Sequence, residues 1–244
     1  MTVHFVGAGP GAEDLLTLRA ARLLAEADVV LYPGTYVGAV LAHCPPTAEL
    51  IDTAVLDLDQ ITEHLVTAAR AGRRVVRLTS GDPSLYSALS EQTARLDAAG
   101  VGWSVVPGVP AYAAAAALVG RELTVPEVAQ SVVLTRTQAR STAMPATETL
   151  AAFAATRATL CLHLAITRIR ELAAELVEEY GAGCPVVVVY RATQPDELVL
   201  RGTLADIADA VEEAGLRQAA VVLVGPALAS PGGESWLYSA DRPR

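Results

Sequence analysis

Short apolar runs alternate with longer helix-like runs along almost the whole chain, and this alternation constrains the fold more than any other feature. Strands separated by helices of roughly 10–15 residues are typical of an α/β fold with a largely parallel sheet. The apolar runs predict strands at Val3–Val6, Asp28–Tyr32, Glu49–Thr53, Arg74–Thr79, Trp103–Val106, Ser131–Thr135, Thr159–Leu164, Pro185–Arg191, Glu197–Arg201 and Ala219–Val224. The periodic runs predict helices at Leu18–Glu26, Leu58–Ala71, Leu85–Ala99, Thr147–Ala155, Arg168–Tyr180 and Leu204–Ala214.

The pattern changes near residue 120, where an extended connection precedes a second series of strands. We therefore expect two α/β halves, 1–113 and 114–244, joined near residues 113–125, with an active site in the cleft between them. The strands at Glu197–Arg201 and Ala219–Val224 follow each other closely, so we expect them to pair antiparallel. The first sheet is then mostly parallel and the second is mixed.

Charge and composition exclude several classes of protein. The net charge of −9 disfavours nucleic-acid binding, which requires basic patches that neutralise phosphates. No apolar run approaches the roughly 18 residues that a membrane span needs, and no secretory signal is visible. The three cysteines form no CxxC pair, and the four histidines show no metal-ligand spacing. We expect a cytoplasmic protein that binds no metal, no nucleic acid and no membrane.

The first strand ends in the turn Gly7-Ala8-Gly9-Pro10-Gly11, which fits a loose dinucleotide-binding pattern, GxGxxA. A dinucleotide site requires the glycine turn to run directly into a helix, whose free N–H groups meet the pyrophosphate. Here the next helix is predicted to begin only at Leu18, and Pro10 has no N–H to donate. Asp28, the candidate ribose-binding acid, begins the second strand instead of ending it. A nicotinamide-dependent oxidoreductase is therefore kept only as the alternative from another enzyme class.

Further turns rich in glycine and proline follow other predicted strands. They read "TSGDPSLY" (79–86), "PGVPAY" (107–112) and "RATQP" (191–195). Ligands of open α/β sheets bind beyond the carboxyl ends of the strands, where such turns converge. Gly81 and Gly108 permit close approach to the backbone, and Asp82 supplies a carboxylate.

These segments resemble the tetrapyrrole methylases, which use S-adenosylmethionine in cobalamin and sirohaem synthesis. The resemblance covers about residues 3–228 and includes the "GAGPG" and "SGDPSLYSA" turns, which the whole superfamily shares. "AQSVVLTRT" followed by "AMPATETLAAFA" is similar to the branch that methylates position 11 of precorrin-4. Cobalt-precorrin-4 and other precorrin or uroporphyrinogen methylases of the same fold are alternatives within the family.

The resemblance implies a fold of two αβα domains, a homodimer, and S-adenosylmethionine as the methyl donor, converted to S-adenosylhomocysteine. Carried over by motif, the cofactor contacts are Pro10, Ser80, Gly81, Asp82, Leu85, Pro110, Ala111, Leu164, Ala192 and Thr193.

The implied chemistry is transfer of a sulfonium methyl group to a ring carbon of precorrin-4. The methyl donor is already activated, so the enzyme mainly aligns the reactants. We expect the Asp82 carboxylate to act electrostatically on the cationic cofactor. The substrate bears many carboxylates, for which a guanidinium fork is suited, and we expect Arg136 and Arg140 to bind them. Arg191 is a third candidate.

Overall fold

The structure is a computed structural model that describes residues 2–34, 37–137, 143–230, 232–233 and 235–236. The chain divides into two compact units, Met1–Ala114 and Ala115–Arg244. Among the described residues, every helix is too short or too polar to cross a lipid bilayer.

The first unit contains a parallel five-stranded sheet in the order β3-β2-β4-β1-β5. Its strands are β1 (Thr2–Gly7), β2 (Val29–Tyr32), β3 (Glu49–Asp52), β4 (Val75–Thr79) and β5 (Gly102–Val106). Its helices are α1 (Leu18–Ala25), α2 (Leu58–Arg70) and α3 (Leu89–Ala98), and α4 (Ala111–Val119) begins at its end. The ends of β1, β4 and β5 therefore lie side by side at one edge of the sheet.

Helices cover both faces of this sheet because the side chains of each strand alternate between two cores. Val3 and Phe5 of β1 pack in one core with Leu65 of α2 and Leu96 of α3. Val6 of β1 lies on the opposite face of the sheet and packs with α1 in a second core. Helix α1 starts at its predicted position because the Thr17 side chain accepts a hydrogen bond from the Ala20 N–H.

The second unit contains a mixed five-stranded sheet in the order β6-β7-β10-β8-β9. Its strands are β6 (Val132–Arg136), β7 (Thr159–His163), β8 (Pro185–Tyr190), β9 (Leu198–Thr203) and β10 (Ala220–Val224). Its helices α5 (Leu150–Ala154), α6 (Ile169–Tyr180) and α7 (Ile207–Glu213) share one core with the sheet. The predicted fold class, with a parallel first sheet and a mixed second sheet, is confirmed.

Among the local predictions, one strand pairing and one helix start were wrong, and one helix was missed. Strands β9 and β10 do not pair with each other, because β8 lies between them and pairs antiparallel with both. The buried valine run of β8 needs neighbours on both sides, and β9 is left at the more exposed edge. Helix α3 begins at Leu89 instead of Leu85, because Tyr86 and Ala88 have positive φ. Helix α4 was not predicted, because its alanine-rich sequence has no polar face.

Candidate functional site

The turns that follow β1 and β4 are joined directly by backbone hydrogen bonds. The Ala8 N–H donates to the Thr79 carbonyl at 2.8 Å. Gly9 and Gly81 then exchange a reciprocal pair, from Gly9 N to Gly81 O at 3.1 Å and from Gly81 N to Gly9 O at 2.8 Å. Both glycines have φ near +70°, a conformation that costs glycine little. The two turns therefore form one rigid unit. We use the name turn cluster for residues 8–11 after β1, residues 80–85 after β4 and residues 107–111 after β5.

Gly7 and Gly108 allow this cluster to close. A Cβ atom on Gly7 would lie 2.6 Å from the backbone nitrogen and Cα of Gly108 and 2.6 Å from the Gly81 carbonyl oxygen. A Cβ atom on Gly108 would lie 2.9 Å from Gly7 Cα, and closer still to the Gly81 carbonyl oxygen. These clashes are with backbone, which has little freedom to move. The glycine-rich sequence here is required by packing between the three turns.

Asp82 connects the β4 turn to the β5 turn. Its Oδ2 accepts the Gly108 N–H at 2.8 Å, and its Oδ1 accepts the Ser84 N–H at 2.8 Å and the Ser84 hydroxyl. Partial burial raises the pKa of this carboxyl, but the hydrogen bonds from Ser84 and Gly108 outweigh burial, and the pKa lies below its ordinary value. Asp82 is therefore an anion at neutral pH whose oxygens already bind the protein.

Seven of the predicted cofactor residues belong to this cluster. A Cβ atom on Gly81 would lie 3.6 Å from Pro110 Cα and 3.7 Å from Ala111 N, in ordinary contact. Pro10 follows Gly9 and is half-buried, while Ser80 is exposed. The Leu85 N–H donates to the Asp82 carbonyl at 3.2 Å. The structure thus brings together Pro10, Ser80, Gly81, Asp82, Leu85, Pro110 and Ala111.

The other predicted cofactor residues lie in the second unit. Strands β7 and β8 both run antiparallel to β10, so they are parallel to each other and end at the same edge of the sheet. Leu164 follows β7 with φ of 52° and is 58% exposed. Ala192 and Thr193 follow β8, and the Thr193 N–H donates to Oε2 of Glu197 at 2.6 Å. Leu164, Ala192 and Thr193 therefore lie at one edge of the second sheet.

The predicted substrate arginines have different environments. Arg136 ends β6 and lines a pocket of about 270 Å³ together with Met144, Glu148 and Arg168. Arg140 lies outside the described residues. The Arg191 guanidinium donates to Oε1 of Gln194 at 3.0 and 2.7 Å and pairs with Asp196 at 2.8 Å. Arg191 is thus bound by its own loop, which disfavours it as a substrate ligand.

Two residues that support the loop after β4 were not predicted from the sequence. Ser84 satisfies the Asp82 carboxylate, and Arg77 is 7% exposed within β4. Arg77 is the only charged residue of the buried run "VVRLT", and that irregularity was the available signal. A charge inside an apolar strand requires polar partners, so it indicates a specific local structure.

The structure disfavours a dinucleotide site. After the first turn come a 3₁₀ turn at Glu13–Leu15 and then α1, so no helix N-terminus directly follows Gly11. The Asp28 carboxylate is bound by Arg74, whose hydrogen bonds lower the Asp28 pKa to about 2. Within the described ranges, no group of three or more His, Cys, Asp or Glu side chains could hold a metal ion.

Comparisons with known proteins agree with this geometry. The family model of the tetrapyrrole (corrin/porphyrin) methylases matches residues 2–208. A precorrin-4 C(11)-methyltransferase of Rhodococcus erythropolis is 55% identical, over 100% of this chain and 99% of that protein. A solved cobalt precorrin-4 methyltransferase of cobalamin biosynthesis has a TM-score of 0.90 and 39% identity, over 94% of this chain and 96% of that one. A uroporphyrin-III C-methyltransferase of Thermus thermophilus, solved with S-adenosylhomocysteine, has a TM-score of 0.78 and 32% identity, over 93% and 99% of the two chains.

Proposed function

The chain belongs to the tetrapyrrole methylase family, and we propose that it transfers a methyl group from S-adenosylmethionine to carbon 11 of precorrin-4, giving precorrin-5. The observation that carries this proposal is the 55% identity, over the full chain, to a precorrin-4 C(11)-methyltransferase. The fold agrees, since a cobalt precorrin-4 methyltransferase superposes over nearly the whole chain.

The turn cluster has the chemistry to hold S-adenosylmethionine. Gly9 and Gly81 present backbone without side chains at the carboxyl edge of the sheet. Asp82 is held ionised by Ser84 and Gly108, and its negative charge suits a sulfonium cation. We propose that Pro10, Ser80, Gly81, Asp82, Leu85, Pro110 and Ala111 contact the cofactor. Leu164, Ala192 and Thr193 of the second unit complete the proposed set.

The cofactor supplies the activated methyl group when it is bound. The work left to the protein is to align sulfur, methyl group and acceptor carbon, which removes much of the entropic part of the barrier. The rigid backbone contacts between the β1, β4 and β5 turns provide that alignment. Asp82 lies in a fixed position and does not need to reorganise during the transfer.

Arginines meet the carboxylates of the substrate in this proposal. The net charge of −9 repels a polyanion, so cations must be placed locally. Arg136 lies at the carboxyl end of β6, in a pocket that also contains Arg168. We propose Arg136 and Arg140 as the carboxylate ligands.

The proposal includes a homodimer in the cytoplasm. Cys44, Cys161 and Cys184 are all free thiols, as is usual in a reducing compartment. Size-exclusion chromatography with light scattering tests the dimer, and a monomeric mass at assay concentration contradicts it.

The metal-free substrate is favoured over its cobalt-loaded form. Identity to the precorrin-4 enzyme of Rhodococcus is 55%, against 39% to the solved cobalt precorrin-4 methyltransferase. The test is turnover with S-adenosylmethionine and either metal-free or cobalt-loaded precorrin-4, followed by mass spectrometry of the corrinoid. We expect a gain of one methyl group on the metal-free substrate. Methylation of the cobalt form alone contradicts the substrate assignment.

Calorimetry tests the enzyme class independently of the substrate. We expect S-adenosylhomocysteine to bind and NAD to give no heat. Binding of NAD alone contradicts the proposal.

A further inference from the structure

The loop between β4 and α3 contains two non-glycine residues in the left-handed region. Tyr86 has φ of 53° and Ala88 has φ of 54°. Such residues are uncommon, and they persist only where the surrounding structure holds them. Tyr86 is also 48% exposed, so its ring contributes little to the core. The loop thus keeps an aromatic side chain at the surface in an unfavourable backbone conformation.

Gln92 of α3 holds this part of the loop. Its Nε2 donates to the Ser87 carbonyl at 3.2 Å and to the Ala88 carbonyl at 3.1 Å. The Ser87 hydroxyl donates to the Pro83 carbonyl. Gln92 is 2% exposed, so these hydrogen bonds form without competition from water.

Arg77 holds Gln92 in turn. Its Nε donates to Oε1 of Gln92 at 3.1 Å, and its Nη1 donates to Oγ1 of Thr53 at 3.1 Å. The Thr53 hydroxyl donates to the Tyr32 carbonyl at 3.0 Å. A continuous chain of hydrogen bonds therefore connects the end of β2 to the Tyr86 loop.

This network is costly for the core. Arg77 is 7% exposed, its two acceptors are uncharged, and burial lowers its pKa to about 10. A buried cation without a carboxylate partner is less stable than an apolar residue that fills the same space. This cost is explained if the network serves to fix the position of the loop that it supports.

The two halves of the loop have different main supports and are linked by the hydrogen bond from the Ser87 hydroxyl to the Pro83 carbonyl. The half with Gly81 and Asp82 is fixed by Gly9, Ser84 and Gly108, as described above. The half with Tyr86 and Ala88 is fixed by Gln92. The proposed cofactor contacts of this loop end at Leu85, so Tyr86 directly follows them in the chain and lies next to the proposed cofactor site.

We propose that Tyr86 contacts the precorrin macrocycle, and that Gln92 and Arg77 are positioning residues that hold Tyr86 for this contact. The inference rests on the proposed function. A phenol ring offers an apolar face and a polar edge, which suits a macrocycle that is largely apolar and carries carboxylates at its periphery.

The experiment compares four variants of the full chain with the wild type: Tyr86→Ala, Tyr86→Phe, Gln92→Glu and Leu50→Ala. The measured quantities are KM for precorrin-4, kcat, and the Kd of S-adenosylhomocysteine by calorimetry. Gln92→Glu keeps an oxygen acceptor for Arg77 but loses the Nε2 donors to Ser87 and Ala88. Leu50, which is 44% exposed on β3, is the matched control for truncation of an exposed apolar side chain.

We expect Tyr86→Ala and Gln92→Glu to raise KM for precorrin-4 by about ten-fold while the Kd of S-adenosylhomocysteine changes by less than about two-fold. Tyr86→Phe should retain a KM within about three-fold of wild type, since it keeps the ring. A merely structural role would move both ligands together.

Two results overturn the inference while leaving the proposed function intact. One is an active wild type with a Tyr86→Ala variant whose KM matches that of Leu50→Ala. The other is equal weakening of substrate and S-adenosylhomocysteine in Tyr86→Ala, which assigns Tyr86 to the cofactor. A wild type that neither binds S-adenosylhomocysteine nor methylates precorrin-4 overturns the proposed function and this inference with it.

Discussion

The turn cluster of the first unit and the turns that follow β7 and β8 in the second unit are built by different physical means. In the first unit, Gly7 and Gly108 lack side chains, so that the turns can pack backbone against backbone, while Gly9 and Gly81 adopt positive φ. In the second unit, Leu164, Arg191 and Thr193 have positive φ, although none of them is glycine. Nearby side chains stabilise these turns, as Glu197 does for Thr193 and Gln194 for Arg191.

The difference shows which kind of turn can be found from a sequence. Turns that need close backbone approach select glycine and therefore leave a motif. Turns stabilised by local side chains can use almost any residue, and they leave no comparable pattern. The first unit's turns are expected to fail when volume is added, whereas the second unit's turns are expected to tolerate a change of residue.

Adding one methyl group at Gly108 is the most severe test of this comparison. We expect Gly108→Ala to lower the free energy of unfolding by about 3 kcal/mol and to abolish binding of S-adenosylhomocysteine, because the new Cβ overlaps backbone of Gly81 and Gly7. Urea denaturation and calorimetry measure the two effects. Gly38→Ala is the control, since no atom of the described residues, its chain neighbours aside, lies within 4 Å of its added Cβ. Equal stability of the two variants contradicts the packing explanation.

Removing the charge of Asp82 gives a smaller expected effect. Asp82→Asn places an amide NH₂ against a backbone N–H donor, and we expect a loss of about 2 kcal/mol in unfolding free energy together with weaker S-adenosylhomocysteine binding. Denaturation of both proteins at neutral pH measures the loss. If stability and turnover are both unchanged, Asp82 neither connects the turns nor acts on the cofactor.

The stability difference between wild type and Asp82→Asn should also depend on pH. The folded-state pKa of Asp82 lies below its ordinary value of 3.8, so its stabilising effect is complete above pH 3.8 and is lost as the pH falls through the lower folded value. The stability difference between wild type and Asp82→Asn should therefore be constant near neutral pH and shrink in acid. A difference that grows as the pH falls contradicts this assignment.

Arg136 and Arg191 both lie at the carboxyl end of a strand of the second sheet. Comparing them tests whether an arginine that its own loop already binds can still bind the substrate. We expect Arg136→Ala to raise KM for precorrin-4 by about ten-fold, about 1.4 kcal/mol. Arg191→Ala should change KM by less than about two-fold, because Gln194 and Asp196 already bind its guanidinium. Steady-state kinetics on both variants decides the matter, and the reverse order of effects shows that Arg191 is the substrate ligand.

The smallest effect is expected at Leu164. Leu164→Gly removes the strain of a positive φ but adds freedom to the unfolded chain, so we expect the free energy of unfolding to change by no more than about 1 kcal/mol. Chemical denaturation gives this value. A loss well above 1 kcal/mol shows that the Leu164 side chain stabilises its turn despite being 58% exposed.

The sequence was informative where periodicity and glycine placement act locally. The start of α1 at Leu18 follows from Thr17, and the strands β1 and β4 follow from short apolar runs between turn residues. The convergence of the first unit's turns followed from parallel strands that end at one edge. Each of these conclusions depends on residues that are neighbours in the chain or on a general rule of sheet topology.

The sequence was uninformative where distant residues decide the outcome. The helical pattern from Leu85 is overridden by Gln92 and Arg77, which hold Ala88 and its neighbours out of the helix. The position of β8 between β9 and β10 depends on which strand occupies the buried centre of the sheet, and residues far apart in the chain decide this. The support of Asp82 by Ser84 was open to inference from the turn chemistry, but its bond to Gly108 required the folded sheet.

The close packing of Gly7 against Gly108 also has a consequence for biosynthesis of the chain. Strand β1 is synthesised before β5, yet the turn after β1 can be completed only by a residue near the end of the first unit. A nascent polypeptide on the ribosome therefore gains no finished turn cluster until β5 has emerged and paired with β1. A product that ends before residue 108 contains the "GAGPG" segment but lacks Gly108, against which Gly7 packs.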